Sequence, residues 1–210
     1  MRPLADCRLY GILDLGYVPL NYAVATARLM LEGEGVDILQ LRAKNHPPDA
    51  IEHIAHVLHQ LTEQAGVPFI INDLPAVAAR IRAEGAHIGQ DDGTLEDARK
   101  EAHAKCLIGR STHSLDQAIA AEKEGADYIG FGPLFATPTK PDYTPIGIHE
   151  IREVYERVKI PIFCIGGIKL ENLKSVMDAG ASRVVIVSGI LEATDIPGYI
   201  EDCRILLPSR

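Results

Sequence analysis

Gln40, Arg42 and Lys44 alternate along one short run of this chain. In an extended segment alternate residues share a face, so an amide, a guanidinium and an ammonium would point the same way. Arg offers a planar fork for paired phosphate oxygens and Lys a compact charge. A strand end with solvated charges would carry the same pattern. Further on stand two carboxylates, Asp73 in Asn72-Asp73 and Asp92 in Gln90-Asp91-Asp92. Brought together they would suit Mg²⁺, which takes one or two carboxylates and fills its shell with water and substrate phosphates. Their structural alternatives are an N-cap before Leu74-Pro75 and a turn before Gly93.

Gly166-Gly167 and Ser188-Gly189 are the places where bare backbone N–H groups could hold a phosphate. Between them and the carboxylates lie Arg110-Ser111-Thr112-His113-Ser114 and a loop from Gly132 to Lys140. Three further groups read as structure. His53, His56 and His59 fan around one helix and are expected in solvent. Tyr128 and Phe131 sit in an apolar run and read as packing. The four cysteines, Cys7, Cys106, Cys164 and Cys203, form no C-x-x-C pair and read as reduced thiols.

The elements that must position these residues are marked by a repeated phrase. It reads GEGVDILQL at 33–41, EGAHIG at 84–89, EGADYIGFG at 124–132 and AGASRVVIVSG at 179–189, with QAGVPFIIND at 64–73 as a looser copy. In each, Gly ends a helical pattern and a short apolar run follows as a buried strand. The segment PDAIEHIAHVLHQLTEQAG places Ile51, Ile54, Ala55, Leu58 and Leu61 on one helical face. Strands are predicted at 8–13, 37–42, 68–72, 86–89, 106–109, 127–132, 161–166 and 183–188, each followed by a helix. Eight such units predict an α/β fold, a (β/α)8 TIM barrel in one domain over 1–210 with its core at about 8–206. A doubly wound open sheet is the rival. In a barrel, the candidate phosphate-binding and metal-binding residues above fall at the C-terminal strand ends, where chemistry is done.

The formal charge of −8 argues against nucleic acid and anionic membranes as partners. No apolar stretch is long enough for a membrane span. The N-terminal MRPLADCRLYGILDLG lacks the pattern of a signal peptide, so a cytoplasmic protein is expected. Composition leaves an oligomer possible.

The ordered set Q-L-R-x-K, N-D, H-I-G-Q-D-D, S-T-H-S, G-P-L-F-x-T-P-T-K, I-G-G-I and V-V-I-V-S-G resembles the thiamine phosphate synthase family over roughly residues 8–190. The resemblance implies coupling of hydroxymethylpyrimidine diphosphate with a thiazole phosphate, giving thiamine phosphate and pyrophosphate. It implies that Gln40, Leu41, Arg42, Ala43, Lys44, Asn72, Ser111 and Lys140 bind the pyrimidine diphosphate, and that Asp73 and Asp92 hold Mg²⁺. Thr137, Pro138, Thr139, Gly167, Val187 and Ser188 would hold the thiazole phosphate. Arg42, Lys44, Lys140 and Ser111 would act in catalysis. Gly93 departs from the family pattern, where a larger apolar residue is expected, and would loosen the Asp92 loop. The alternatives are a thiazole tautomerase of the same superfamily, in which His113 would shuttle a proton, and a phosphate-ligand sensor.

Overall fold

The computed structural model describes residues 2–137 and 144–208. Its strands are β1 (Leu9–Asp14), β2 (Ile38–Arg42), β3 (Phe69–Asn72), β4 (Gly85–Ile88), β5 (Leu107–Thr112), β6 (Tyr128–Phe131), β7 (Ile162–Cys164) and β8 (Val184–Ile186). They are parallel, lie in sequence order, and close because β8 returns to pair with β1. The barrel therefore stands and the open sheet does not. Around it run α1 (Ala23–Leu31), α2 (Pro48–Ala65), α3 (Pro75–Ile81), α4 (Leu95–Glu101), α5 (Leu115–Lys123), α6 (Ile151–Arg157) and α7 (Leu170–Asp178). A single turn, α8 (Ser188–Leu191), and α9 (Ile196–Leu206) complete the ring. Among the described residues no helix is long and apolar enough to cross a membrane.

Alternation along the strands divides the core in two. Tyr10, Ile12, Ile38, Ile70, Tyr128, Phe163 and Val185 fill the barrel interior. Leu9, Leu13, Leu39, Leu41, Phe69 and Ile71 face outward against the helices. The predicted face of α2 is the one it buries, with Ile51, Ile54, Ala55, Leu58 and Leu61 all in the outer core. Gly66 ends that helix at φ +67°, a left-handed position that suits Gly.

Four expectations need correcting. Gly85 opens β4 instead of ending a helix; α3 stops at Arg82, itself left-handed at φ 59°. Gly85 is needed because a Cβ there would meet the Leu107 carbonyl oxygen at 2.7 Å. Strand β5 runs on to Thr112, past its apolar run, because Arg110, Ser111 and Thr112 still pair with β6. Conversely, β8 stops at Ile186, because α8 begins at Ser188. His53 and His56 are exposed as expected, but His59 is buried, stacked on Phe69 and paired with Glu84 at 3.4 Å.

At the N-terminal face, Asp37 is fully buried and ties the two ends of the chain. It accepts hydrogen bonds from the Arg8 and Leu9 N–H groups at 2.8 and 2.9 Å and from Arg204 at 2.9 Å, and it also pairs with Arg2. Burial alone would raise its pKa, yet Arg204 and the two N–H groups outweigh this and hold it below the usual carboxylate value. Such a knot serves stability and leaves the opposite face for ligands.

Candidate active site

A cavity of about 100 Å³ opens at the C-terminal ends of the strands. Gln40 and Arg42 from β2, Asn72 from β3 and Ser111 from β5 reach it, as do Thr137, Gly167, Val187 and Ser188. Its base is largely aromatic and aliphatic, with Tyr10, Ile12, Tyr128, Phe163 and Val185. A flat, weakly polar ring suits that base, and charged groups suit the rim.

Arg42 is aimed by a residue the sequence reading passed over. Strand β1 ends at Asp14, in register with Arg42 on β2. The Arg42 guanidinium donates to Asp14 Oδ2 at 2.7 Å, while Asp14 Oδ1 accepts the Gly16 N–H at 2.9 Å. Asp14 is buried and Arg42 nearly so, so the guanidinium enters the pocket already oriented. The available signal was a carboxylate at the end of the first strand.

Lys44, Asp73 and Asp92 form the second charged group. Lys44 Nζ lies 3.1 Å from Asp73 Oδ2, and the Asp92 carboxyl stands beside that of Asp73. Burial first, and then the hydrogen bond with Asp92 and its charge, raises the Asp73 pKa, with Lys44 only partly offsetting them. Two crowded carboxylates, one of them paired with an ammonium, are a fit for a divalent cation. Among the described residues no set of three or more metal-binding side chains gathers, so a cation here would depend on water and substrate phosphate for the rest of its shell. Asp73 is not a helix cap: Leu74 occupies that position, and Asp73 sits at φ 61°. Asp92 does serve its turn, accepting the Gly89 N–H through Oδ2 at 2.9 Å.

The Asp92 loop is not loosened by Gly93, which takes φ 100°. Arg110 donates to the Gly93 carbonyl at 2.7 Å and to that of Gln90 at 3.3 Å, and the Gln90 amide donates to the Ser111 carbonyl. The loop after β4 is thus stapled to β5.

Leu41 and Ala43 stand apart from the main pocket. Their side chains point into the outer core, because alternation turns them away from Gln40 and Arg42. With Lys44, Asn72 and Asp73 they line a second cavity of about 230 Å³, which shares the Asn72 wall.

Tyr128 is more than packing, and His87 and Tyr10 were missed. Gln40 Nε2 donates to the Tyr10 hydroxyl at 2.6 Å, which lies 3.2 Å from the Tyr128 hydroxyl. The Tyr128 hydroxyl lies 3.3 Å from His87 Nδ1, and His87 Nε2 lies 3.0 Å from Ser111 Oγ. Burial pushes both tyrosine pKa values up, so both hydroxyls keep their hydrogens. His87 opens H-I-G-Q-D-D, which was the signal. Ser111 is therefore held by His87, while His113 Nδ1 meets the Gly132 carbonyl.

The loops after β7 and β8 close the far side. Gly166 and Gly167 take φ 97° and 63°. A Cβ on Gly167 would stand 2.6 Å from the Ala136 carbonyl oxygen and 2.7 Å from Phe135 Cβ. The Asn172 amide donates to the Gly167 carbonyl at 2.9 Å. Pro138, Thr139 and Lys140 lie outside the described residues.

The comparisons agree with one another. The profile of a family described as Thiamine monophosphate synthase matches residues 9–190. A thiamine-phosphate synthase of Halalkalibacterium halodurans is 42% identical, over 99% of this chain and 98% of its own length. One from Pyrococcus horikoshii is 38% identical, over 94% and 93%. The solved thiamine phosphate pyrophosphorylase of Pyrococcus furiosus superposes with a TM-score of 0.88 at 34% identity, covering 97% of this chain and 96% of its own.

Proposed function

This chain belongs to the thiamine monophosphate synthase family, and from that premise we propose that it joins hydroxymethylpyrimidine diphosphate to a thiazole phosphate. The observation that carries the reading is the meeting of Lys44, Asp73 and Asp92 beside a pocket with an apolar base and Arg42 at its edge. The bond from the pyrimidine methylene carbon to the diphosphate oxygen breaks, and pyrophosphate leaves with the electron pair. The electron-rich aminopyrimidine spreads the positive charge. The thiazole nitrogen then donates its lone pair to that carbon, and the charge ends on the thiazolium. No net proton transfer is needed, so the site's task is alignment and charge neutralisation.

Arg42, fixed by Asp14, and Lys44 bind the diphosphate and take up the charge that grows on it. Lys140 is assigned the same task by the family resemblance. Asp73 and Asp92 would hold Mg²⁺, which when bound would add divalent charge at the leaving group. Gln40, Asn72 and Ser111 orient the pyrimidine diphosphate. Gly167, Val187 and Ser188, with Thr137, Pro138 and Thr139, bind the thiazole phosphate, the first two through backbone N–H groups. Small phosphorylated molecules are thus the partners, and the four buried free thiols fit a cytoplasmic setting.

Mixing both substrates with purified protein should release one pyrophosphate per thiamine phosphate formed, and only with Mg²⁺ present. Full turnover in a chelator would remove the metal from this reading. Absence of product in every condition would remove the reaction.

A further inference from the structure

Gln40 on β2 and Ser111 on β5 are joined beneath the pocket by a run of four hydrogen bonds, through Tyr10, Tyr128 and His87. Tyr10 and Tyr128 are fully buried, and their rings pack against each other and against Phe163. No other element of the proposed mechanism uses these three side chains.

A hydroxyl carries one hydrogen, and a neutral imidazole one N–H. Direction therefore propagates along the run. Gln40 Nε2 donates to Tyr10, so the Tyr10 hydrogen goes to Tyr128 and the Tyr128 hydrogen to His87 Nδ1. His87 Nε2–H then donates to Ser111 Oγ. Ser111 is left with its own hydrogen to give, and Gln40 with its carbonyl oxygen to accept; both residues line the pocket. Turning the Gln40 amide over would reverse every bond, so that Gln40 donates into the pocket and Ser111 accepts. When Gln40 turns its carbonyl oxygen to the pocket Ser111 has a hydrogen to give, and when it turns its N–H groups there Ser111 has none.

We propose that Tyr10, Tyr128 and His87 are positioning residues that couple the hydrogen-bond polarity of Gln40 to that of Ser111, so the pocket takes a ring offering a donor at one end and an acceptor at the other. A 4-aminopyrimidine meets this rule, with its amino group toward Gln40 and the ring nitrogen opposite it, N1, toward Ser111. A 4-oxo ring in the same pose does not. Its carbonyl would turn the Gln40 amide over, and the reversed run would set the Ser111 lone pairs against N1, which carries no hydrogen in the 4-oxo-3H ring. The inference rests on the aminopyrimidine reading of the pocket and adds the device that enforces it. Leaving a buried polar pair mismatched costs more than a missed contact, which is why such sites discriminate strongly.

The test uses the 4-amino and 4-oxo pyrimidine diphosphates, with equilibrium binding of each measured beside turnover with thiazole phosphate. Wild-type protein should prefer the amino ring in both measurements. Tyr128→Phe keeps the ring packing and cuts the run at its centre, so each end adjusts alone. The amino-over-oxo preference should fall by about tenfold or more, chiefly through gain of the oxo compound, while inhibition by inorganic pyrophosphate stays unchanged. Tyr10→Phe cuts another link and should give the same signature. Equal weakening of both rings in the two variants would make these residues packing only and overturn the proposal, as would equal binding of both rings by wild type. Wild type that binds the amino ring selectively but forms no product would instead overturn the proposed reaction and leave the coupling standing.

Discussion

Arg42 and Asp14 meet where β2 and β1 end in register, with guanidinium and carboxylate 2.7 Å apart and the carboxylate almost wholly buried. On the proposed reading the ion pair belongs to the substrate site, setting the direction of the guanidinium before a ligand arrives. Asp14→Asn keeps an oxygen for the Gly16 N–H but leaves Arg42 without its counter-charge. We expect diphosphate affinity to fall about tenfold and stability by roughly 1–3 kcal/mol, the cost of unpairing a buried polar group. Titration with pyrophosphate and denaturant unfolding measure the two. Unchanged affinity would show that Arg42 does not depend on Asp14 for its aim.

For the carboxylate pair, Asn is the substitution of choice, because Asn tolerates the left-handed backbone that Asp73 adopts. Asp73→Asn and Asp92→Asn should each remove most turnover and raise the Mg²⁺ needed for half-maximal rate. Neither should lower thermal stability much, since each relieves repulsion between neighbouring carboxyls. Near-normal rates across a Mg²⁺ titration would reduce both residues to loop structure.

Gly167 illustrates a limit of reading glycine from sequence. Phosphate access alone would predict that added bulk harms only thiazole phosphate binding. The close approach of Phe135 and Ala136 and the positive φ instead predict that even Gly167→Ala disturbs the loop after β6. Both ligands should bind more weakly, with about 1–3 kcal/mol of stability lost to backbone strain. Thiazole phosphate weakening alone would restore the simpler account.

Lys140 and His113 separate synthase from tautomerase chemistry. Lys140→Ala should lower the single-turnover rate on the order of a hundred- to a thousandfold, with a smaller change in substrate binding. His113→Asn, which removes a tie to the Gly132 carbonyl and touches no group assigned to the diphosphate, should cost little. The opposite ranking would favour a proton shuttle.

The barrel was legible because Gly separates helix from strand before β2, β3, β6 and β8 and the strands are short apolar runs. The charged rim was legible too, since Gln40, Arg42 and Lys44 alternate and alternation decides the face. What escaped depends on neighbours brought together only by closure. Asp14 gains meaning from β2 beside β1, and His87 from Tyr128 and Ser111 across the barrel. The end of β5 was hidden by its polar residues, which pair with β6 as well as apolar ones do. His59 was misplaced for the same reason: its partner Glu84 stands beyond the next strand and helix.

That His59–Glu84 pair gives the fold a pH signature. The hydrogen bond that His59 donates to Glu84, working against burial, raises the His59 pKa above its ordinary 6.5. Burial opposes ionisation of Glu84, but the bonds from His59 and the Phe69 N–H outweigh it and hold the carboxyl below 4.5. Stability from protonated His59 is fully present below about pH 6.5 and is lost as pH rises through the higher folded value. Stability from ionised Glu84 is present above about pH 4.5 and is lost as pH falls through the lower folded value. Both contribute between those limits. His59→Gln should therefore cost more stability at pH 5.5 than at pH 8.5, by about 1 kcal/mol, the size of a part-buried charged hydrogen bond. Its lost stacking on Phe69 should cost the same at either pH and cancel in the difference. Urea unfolding of both proteins at the two pH values gives that difference directly. A cost that does not change with pH would mean that His59 serves the fold as a neutral packed ring.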